Sequence, residues 1–166
     1  MKKFLMAAVA LICMTMTSVV LTSCGSDDDD SKQSQDITCE YGILTQIPYY
    51  TSTSRVDEAD PWNTIVKDTD KKVMEILAKY STTWKVKATT STVEQVLAEN
   101  DAEAKQKVAA MKAELNKVFE DLQSLKSTYP EEYIRYTIYV VATQSGYNKN
   151  RNFVNEDITL HFGKTE

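Results

Sequence analysis

Among the side chains able to do covalent chemistry, Cys24 holds the most distinctive position. It closes the stretch Leu21-Thr22-Ser23-Cys24 and is followed by Gly25, Ser26 and four aspartates, Asp27, Asp28, Asp29 and Asp30. A thiolate is the one common side chain nucleophilic enough to take up a lipid as a thioether. The other cysteines are Cys13, inside an apolar run, and Cys39, on an apolar alternation where an inert core thiol is the default.

Other candidate chemistry is thinner. His161 is the single histidine. It alternates away from Ile158, Leu160 and Phe162, which predicts a strand position facing water, and alone it offers little to a His-rich zinc site or a nucleophile–base pair. Asp57-Glu58-Ala59-Asp60 spells a helicase tetrapeptide, but the four glycines, Gly25, Gly42, Gly146 and Gly163, form no G-x-x-x-x-G-K phosphate cradle. They form no G-x-S-x-G elbow either. The adjacent pairs Glu131-Glu132 and Glu156-Asp157 make no obvious acid–base couple, because neighbours on a strand point to opposite faces. No metal site and no bound cofactor are expected. Tyr133, Arg135 and Tyr139 share one side of a strand, where aromatics interleaved with a guanidinium could bind sugar rings or a protein. The alternative is that they simply cover the sheet.

The N-terminus gives an address. Lys2 and Lys3 precede the uncharged apolar run Phe4 to Leu21, the pattern of a secretory signal peptide. A retained membrane anchor is the rival, since the run approaches the ~20 residues that span a bilayer. The ending decides. Leu21-Thr22-Ser23-Cys24 resembles the lipobox of bacterial lipoproteins, and Gly25-Ser26-Asp27-Asp28-Asp29-Asp30 resembles the acidic export signal of surface-exposed lipoproteins of the Bacteroidetes type. The resemblance implies cleavage after Ser23, a diacylglycerol and an N-acyl chain on Cys24, and sorting through Ser26, Asp27, Asp28, Asp29 and Asp30. It also implies a membrane partner reached through the lipid and an outer-membrane location facing the cell exterior. Each buried methylene contributes about 0.8 kcal/mol, so two or three chains hold where one is marginal. A plain acidic spacer is the alternative reading of the aspartates. The resemblance covers only about the first 30 residues.

These residues divide the chain into a signal peptide over 1–23, a lipidated acidic tether over 24–36 and one domain over 37–166. The net charge of −5 argues against a nucleic-acid partner, which needs a basic face.

The elements that must position the Tyr/Arg side follow from periodicity. Ile37, Cys39, Tyr41 and Ile43 alternate as a strand to Ile47, with a loop expected from Pro48 to the Asp60-Pro61 helix start. Ile65, Thr69, Val73, Ile76, Leu77 and Tyr80 share a helical face. Thr82, Trp84, Val86 and Ala88 alternate against Lys85 and Lys87 as a second strand. Ser91 and Glu94 fit a capping box. A helical stripe then runs from Leu97 to Leu125, with a bend expected at Asn100-Asp101 and i,i+4 pairs Asp101–Lys105 and Glu103–Lys107. Tyr133 to Thr143 and Glu156 to Phe162 read as a hairpin around residues 144–152. The order β-α-β-α-β-β implies an α+β fold, a small, mostly antiparallel sheet with two main helices on one face.

The resulting expectation is a non-catalytic, surface-displayed lipoprotein with a binding or structural role in an envelope complex. Its partner would be a protein or a glycan. A glycan-binding accessory module and a small hydrolase with an unrecognised site are the alternatives.

Overall fold

A computed structural model of the chain describes residues 34–148 and 150–164. The lipobox, Cys24, Ser26 and the four aspartates lie outside the described residues. The elements are β1 (Asp36–Ser52), α1 (Pro61–Tyr80), β2 (Thr82–Thr89), α2 (Val93–Leu122) with a short 3-10 turn after it, β3 (Tyr133–Ser145) and β4 (Arg151–Gly163). The fold is α+β in the order expected. The four strands form one antiparallel sheet in the order β2-β1-β3-β4.

Side-chain alternation builds the core. Ile134, Tyr136, Ile138, Val140 and Ala142 of β3, with Ile158, Leu160 and Phe162 of β4, turn to one face of the sheet. There they meet Val73 and Leu77 of α1 and Val108, Met111 and Leu115 of α2. Both helices cover this face, because each strand offers an apolar row to that side only. Trp62 is fully buried against Tyr129 and Phe162, with centroids at 5.1 and 5.7 Å. Its indole Nε1 donates to the Thr53 carbonyl at 3.0 Å, so its polar atom is satisfied as well. Asp60 caps α1 as the sequence implies: its carboxylate accepts from Trp62 N at 2.8 Å, and Pro61 takes the first helical position.

The structure corrects five local readings. β1 does not stop at Ile47; it runs through Pro48 to Ser52. The strand absorbs the proline in a bulge, because Gln46 opposes Tyr139 while Tyr49 opposes Thr137, leaving Ile47 and Pro48 against Ile138 alone. Before the bulge the odd residues face the core; after it the even ones do, with Tyr50 opposite Tyr136. The strand also takes in Asp36, and Gln35 O accepts from Thr90 N, so these two residues belong to the domain rather than the tether. α2 is one unbroken helix with no bend at Asn100-Asp101. The capping box does not form: the N-cap is Thr92, whose Oγ1 accepts from Thr89 N before the helix begins, and Ser91 bonds Thr89 Oγ1. The β3–β4 turn is shorter than 144–152, since the ladder closes at Gln144 and Arg151. Gly146 allows the tight return. Its φ is +83°, and a Cβ there would sit 2.7 Å from the Thr38 carbonyl.

Candidate functional site

The face of the sheet turned away from the helices is covered by no described element. The alternation that buries Ile134 and Tyr136 sends Tyr133, Arg135 and Tyr139 to this open face, on the shared side read from the sequence. β1 adds Leu44 and Tyr49, and β4 adds Asp157 and His161. The Arg135 guanidinium carbon lies 5.7 Å from the Tyr49 ring centroid, a cation–π contact across the strands. Tyr139 stands between Gln46 and Asp157 in register. His161 opposes Arg135, and its Nε2 lies 3.1 Å from the Lys164 carbonyl. It faces solvent, as the alternation predicts.

The three expected binding residues share a face but do not converge. Tyr133 and Tyr139 are six residues apart, about 20 Å at the strand rise. Such a spread suits a flat contact with a macromolecule better than closure around a small ligand. Two hollows lie elsewhere. One of about 270 Å³ lies between α1 and α2, walled by Lys72, Lys79 and Glu114. Another, of about 180 Å³, is bordered by α2 and β4. Neither is on the open face.

The adjacent carboxylates diverge into separate ion pairs. Glu132 accepts from Arg55 Nε at 2.8 Å and is buried, while Glu131 pairs with Lys164 at 2.8 Å on the surface. The Lys164 ammonium holds the Glu131 carboxyl below its ordinary range. Glu156 meets Lys112, whereas Asp157 points to the open face. Cys39 is buried, and burial pushes its thiol pKa up, which keeps it a poor nucleophile. Among the described residues no three His, Cys, Asp or Glu side chains gather where they could hold a metal.

The sequence reading missed the main polar cluster. Asp101 does not pair with Lys105. Its Oδ1 accepts from Tyr41 OH at 3.0 Å and from Arg151 Nη2 at 2.7 Å. Arg151 Nε donates to Gln144 Oε1 at 2.8 Å, and Gln144 Nε2 donates to the Ser145 and Gly146 carbonyls. Asn100 accepts from Trp84 Nε1 at 2.9 Å, and Trp84 stacks on Tyr41 at 5.4 Å. The cluster ties α2 to β1, β2 and the β3–β4 turn. Burial first, then the Asp101 carboxylate, raises the Tyr41 pKa far above its ordinary value. The sequence does carry the signal. Asp101 falls four residues after Leu97 and three before Ala104, inside the buried stripe, where an acid needs a partner.

No protein-family model matches the chain, no curated protein matches it, and no solved structure matches it.

Proposed function

We propose that the chain is a lipoprotein anchored through Cys24 in the outer membrane and displayed on the cell exterior. The domain would serve there as a non-catalytic binding or structural part of an envelope complex. Leu21-Thr22-Ser23-Cys24 and the Asp27–Asp30 cluster support the address. The observation that carries the binding role is the sidedness of the sheet. Both helices pack on one face, and on the other no described element covers Tyr49, Tyr133, Arg135 and Tyr139. Aromatic and arginine side chains on a flat surface are the residue types that dominate protein interfaces. A glycan is the second reading, supported by the Arg135–Tyr49 stack.

Three measurements test this. Mass spectrometry of native material is expected to find the chain starting at Cys24 with the sulfur acylated; a bare sulfur refutes the anchor. Replacing Asp27–Asp30 by alanine should shield the protein from external protease; unchanged accessibility refutes the sorting role. A glycan array probed with the full chain separates the two partner classes, since only the second reading expects binding that is lost in Arg135→Ala and Tyr139→Ala.

A further inference from the structure

The helix face of the sheet carries two apolar clusters of unequal size. The larger one includes Val73, Met111, Ile138 and Leu160 and lies under both helices. The smaller one is built from Cys39, Tyr41, Ala88, Val93 and Leu97, and of the two helices α2 alone contributes to it. The buried stripe of α2 marks the border. Leu97 belongs to the smaller cluster and Ala104 to the larger, with the half-buried pair Asn100 and Asp101 between them. Residues 82–100, which are β2, the turn after it and the first two turns of α2, thus form one contiguous cover over Cys39 and Tyr41.

The ends of this segment are firm and its own attachments are light. At one end Ser81 closes α1, and Lys79 and Tyr80 of that helix both bond Glu114 of α2, at 2.6 and 2.8 Å. At the other end Asp101 is held by Tyr41 and Arg151. Between them β2 is an edge strand, joined to β1 along 36–43. α2 begins with no side-chain cap. Just before Asn100 the helix carbonyls are shared: the Asn100 amide donates to the Val96 carbonyl at 2.8 Å, and the Tyr41 hydroxyl to the Leu97 carbonyl at 3.1 Å. Side chains that compete for helix carbonyls mark a place where a helix bends, and Asn and Asp are poor interior formers.

We propose that residues 82–100 are a flap that opens as a unit, hinged at Ser81 and at Asn100-Asp101, while the larger core stays closed. Tyr41 is the latch. Its ring stacks on Trp84 of the flap at 5.4 Å, and its hydroxyl holds the Leu97 carbonyl. Opening strips β2 from residues 36–43 and uncovers Cys39 and Tyr41. Phe153 of β4, whose ring lies 5.8 Å from that of Tyr41, remains with the body, so Tyr41 keeps one packing partner when Trp84 leaves. Opening exposes the smaller cluster alone and therefore takes less free energy than global unfolding. The chain enters beside the flap: Asp36 opposes Thr89, and the Gln35 carbonyl accepts from Thr90 N at 3.2 Å. A pull on the chain ahead of Gln35 bears on the flap's own attachments. The flap needs neither the lipid anchor nor the Tyr133–Tyr139 surface, so its failure is distinguishable from theirs.

Cys39, 1% exposed, is a native reporter of opening. The full chain in detergent micelles is labelled with N-ethylmaleimide over a urea series below the global transition, and mass spectrometry reads the Cys39 peptide. Labelling is expected to exceed the rate that global unfolding allows by about tenfold or more, with a urea slope well below the global one, because less surface is exposed. Cys39→Ala combined with Ala142→Cys moves the thiol into the larger core, where labelling should follow global unfolding. Tyr41→Phe keeps the stack and removes the hydroxyl, and should raise Cys39 labelling about fivefold or more. Ile158→Val, in the larger core, should lower the global midpoint and leave Cys39 labelling in water within about twofold. Amide exchange read without any substitution should give the protected amides of 82–100 one common opening, easier than that of 134–142. Cys39 labelling that follows global unfolding in rate and urea slope refutes the flap. So does an equal response of Cys39 to Ile158→Val and to Tyr41→Phe, or exchange across 82–100 that is graded with no common opening.

Discussion

Asp101→Ala is expected to destabilise the domain by about 2–3 kcal/mol. The substitution removes two hydrogen bonds to one carboxylate oxygen, from Tyr41 OH at 3.0 Å and Arg151 Nη2 at 2.7 Å. The tyrosine bond is worth about 1 kcal/mol, and Tyr41 keeps a second acceptor, the Leu97 carbonyl at 3.1 Å, so its hydroxyl is not orphaned. The arginine bond is charge-assisted. The Arg151 side chain is 33% exposed and Asp101 19%, so solvent screening holds it to about 1–2 kcal/mol, between a surface pair and a buried one. Arg151 also retains Gln144. The assay is urea unfolding of the full chain followed by near-ultraviolet circular dichroism, with linear extrapolation to water. A double-mutant cycle with Arg151→Ala should return a coupling of about 1 kcal/mol or more. A loss under about 0.5 kcal/mol, or additivity within about 0.3 kcal/mol, refutes the view that this cluster fastens α2 to the sheet.

Trp62→Ala should cost about 3–5 kcal/mol by the same unfolding assay, since it empties a site between Tyr129 and Phe162 and orphans the Thr53 carbonyl. Asp60→Ala removes the bond to Trp62 N and should cost about 1 kcal/mol, while Asp60→Asn retains most of it. Gly163→Ala should destabilise by more than the ~1 kcal/mol typical of a glycine replacement, because φ is +88° and the new Cβ would collide with the Glu132 carbonyl; an unchanged thermal midpoint refutes this. Tyr41 and Tyr136 both have pKa values raised above the ordinary 10.0, chiefly by burial. Above pH 10 the unfolded chain gives up protons that the folded chain keeps, so their contribution is intact below that pH and falls as pH rises. Tyrosinate absorbance should show these two rings titrating only together with unfolding; smooth, independent titration refutes it.

The strand phases were legible because one buried face leaves a period of two, as in Cys39, Tyr41 and Ile43 against Lys85 and Lys87 on the neighbouring strand. The placement of Tyr133, Arg135 and Tyr139 on one side followed from the same rule. Their separation along the strand follows from the numbering and the strand rise, whereas the fact that no described element covers them depends on strand order and helix placement, which periodicity does not carry. Pro48 reads locally as a stop, and only the ladder with β3 reveals a bulge that accommodates it. Asn100 and Asp101 read as a weak point because their intrinsic propensities are poor. In the fold Trp84, Tyr41 and Arg151 come from distant segments to satisfy them, so tertiary contacts override the local preference. The end of the β1–β2 pairing at Ile43, with β1 running on to Ser52, was invisible for a similar reason. It arises from a mismatch in length between two strands that no single window contains.

The extra residue at Ile47-Pro48 is absorbed by the ladder rather than passed along it. Gln46 opposes Tyr139 before the bulge and Tyr49 opposes Thr137 after it, so removing one of the two intervening residues would leave a regular ladder with Tyr49 still on the Arg135 side and Tyr50 still opposite Tyr136. Chain length at that point can therefore change by one residue without carrying either tyrosine to the other face. Sequence drift could remove the insertion more easily than it could exchange the two positions.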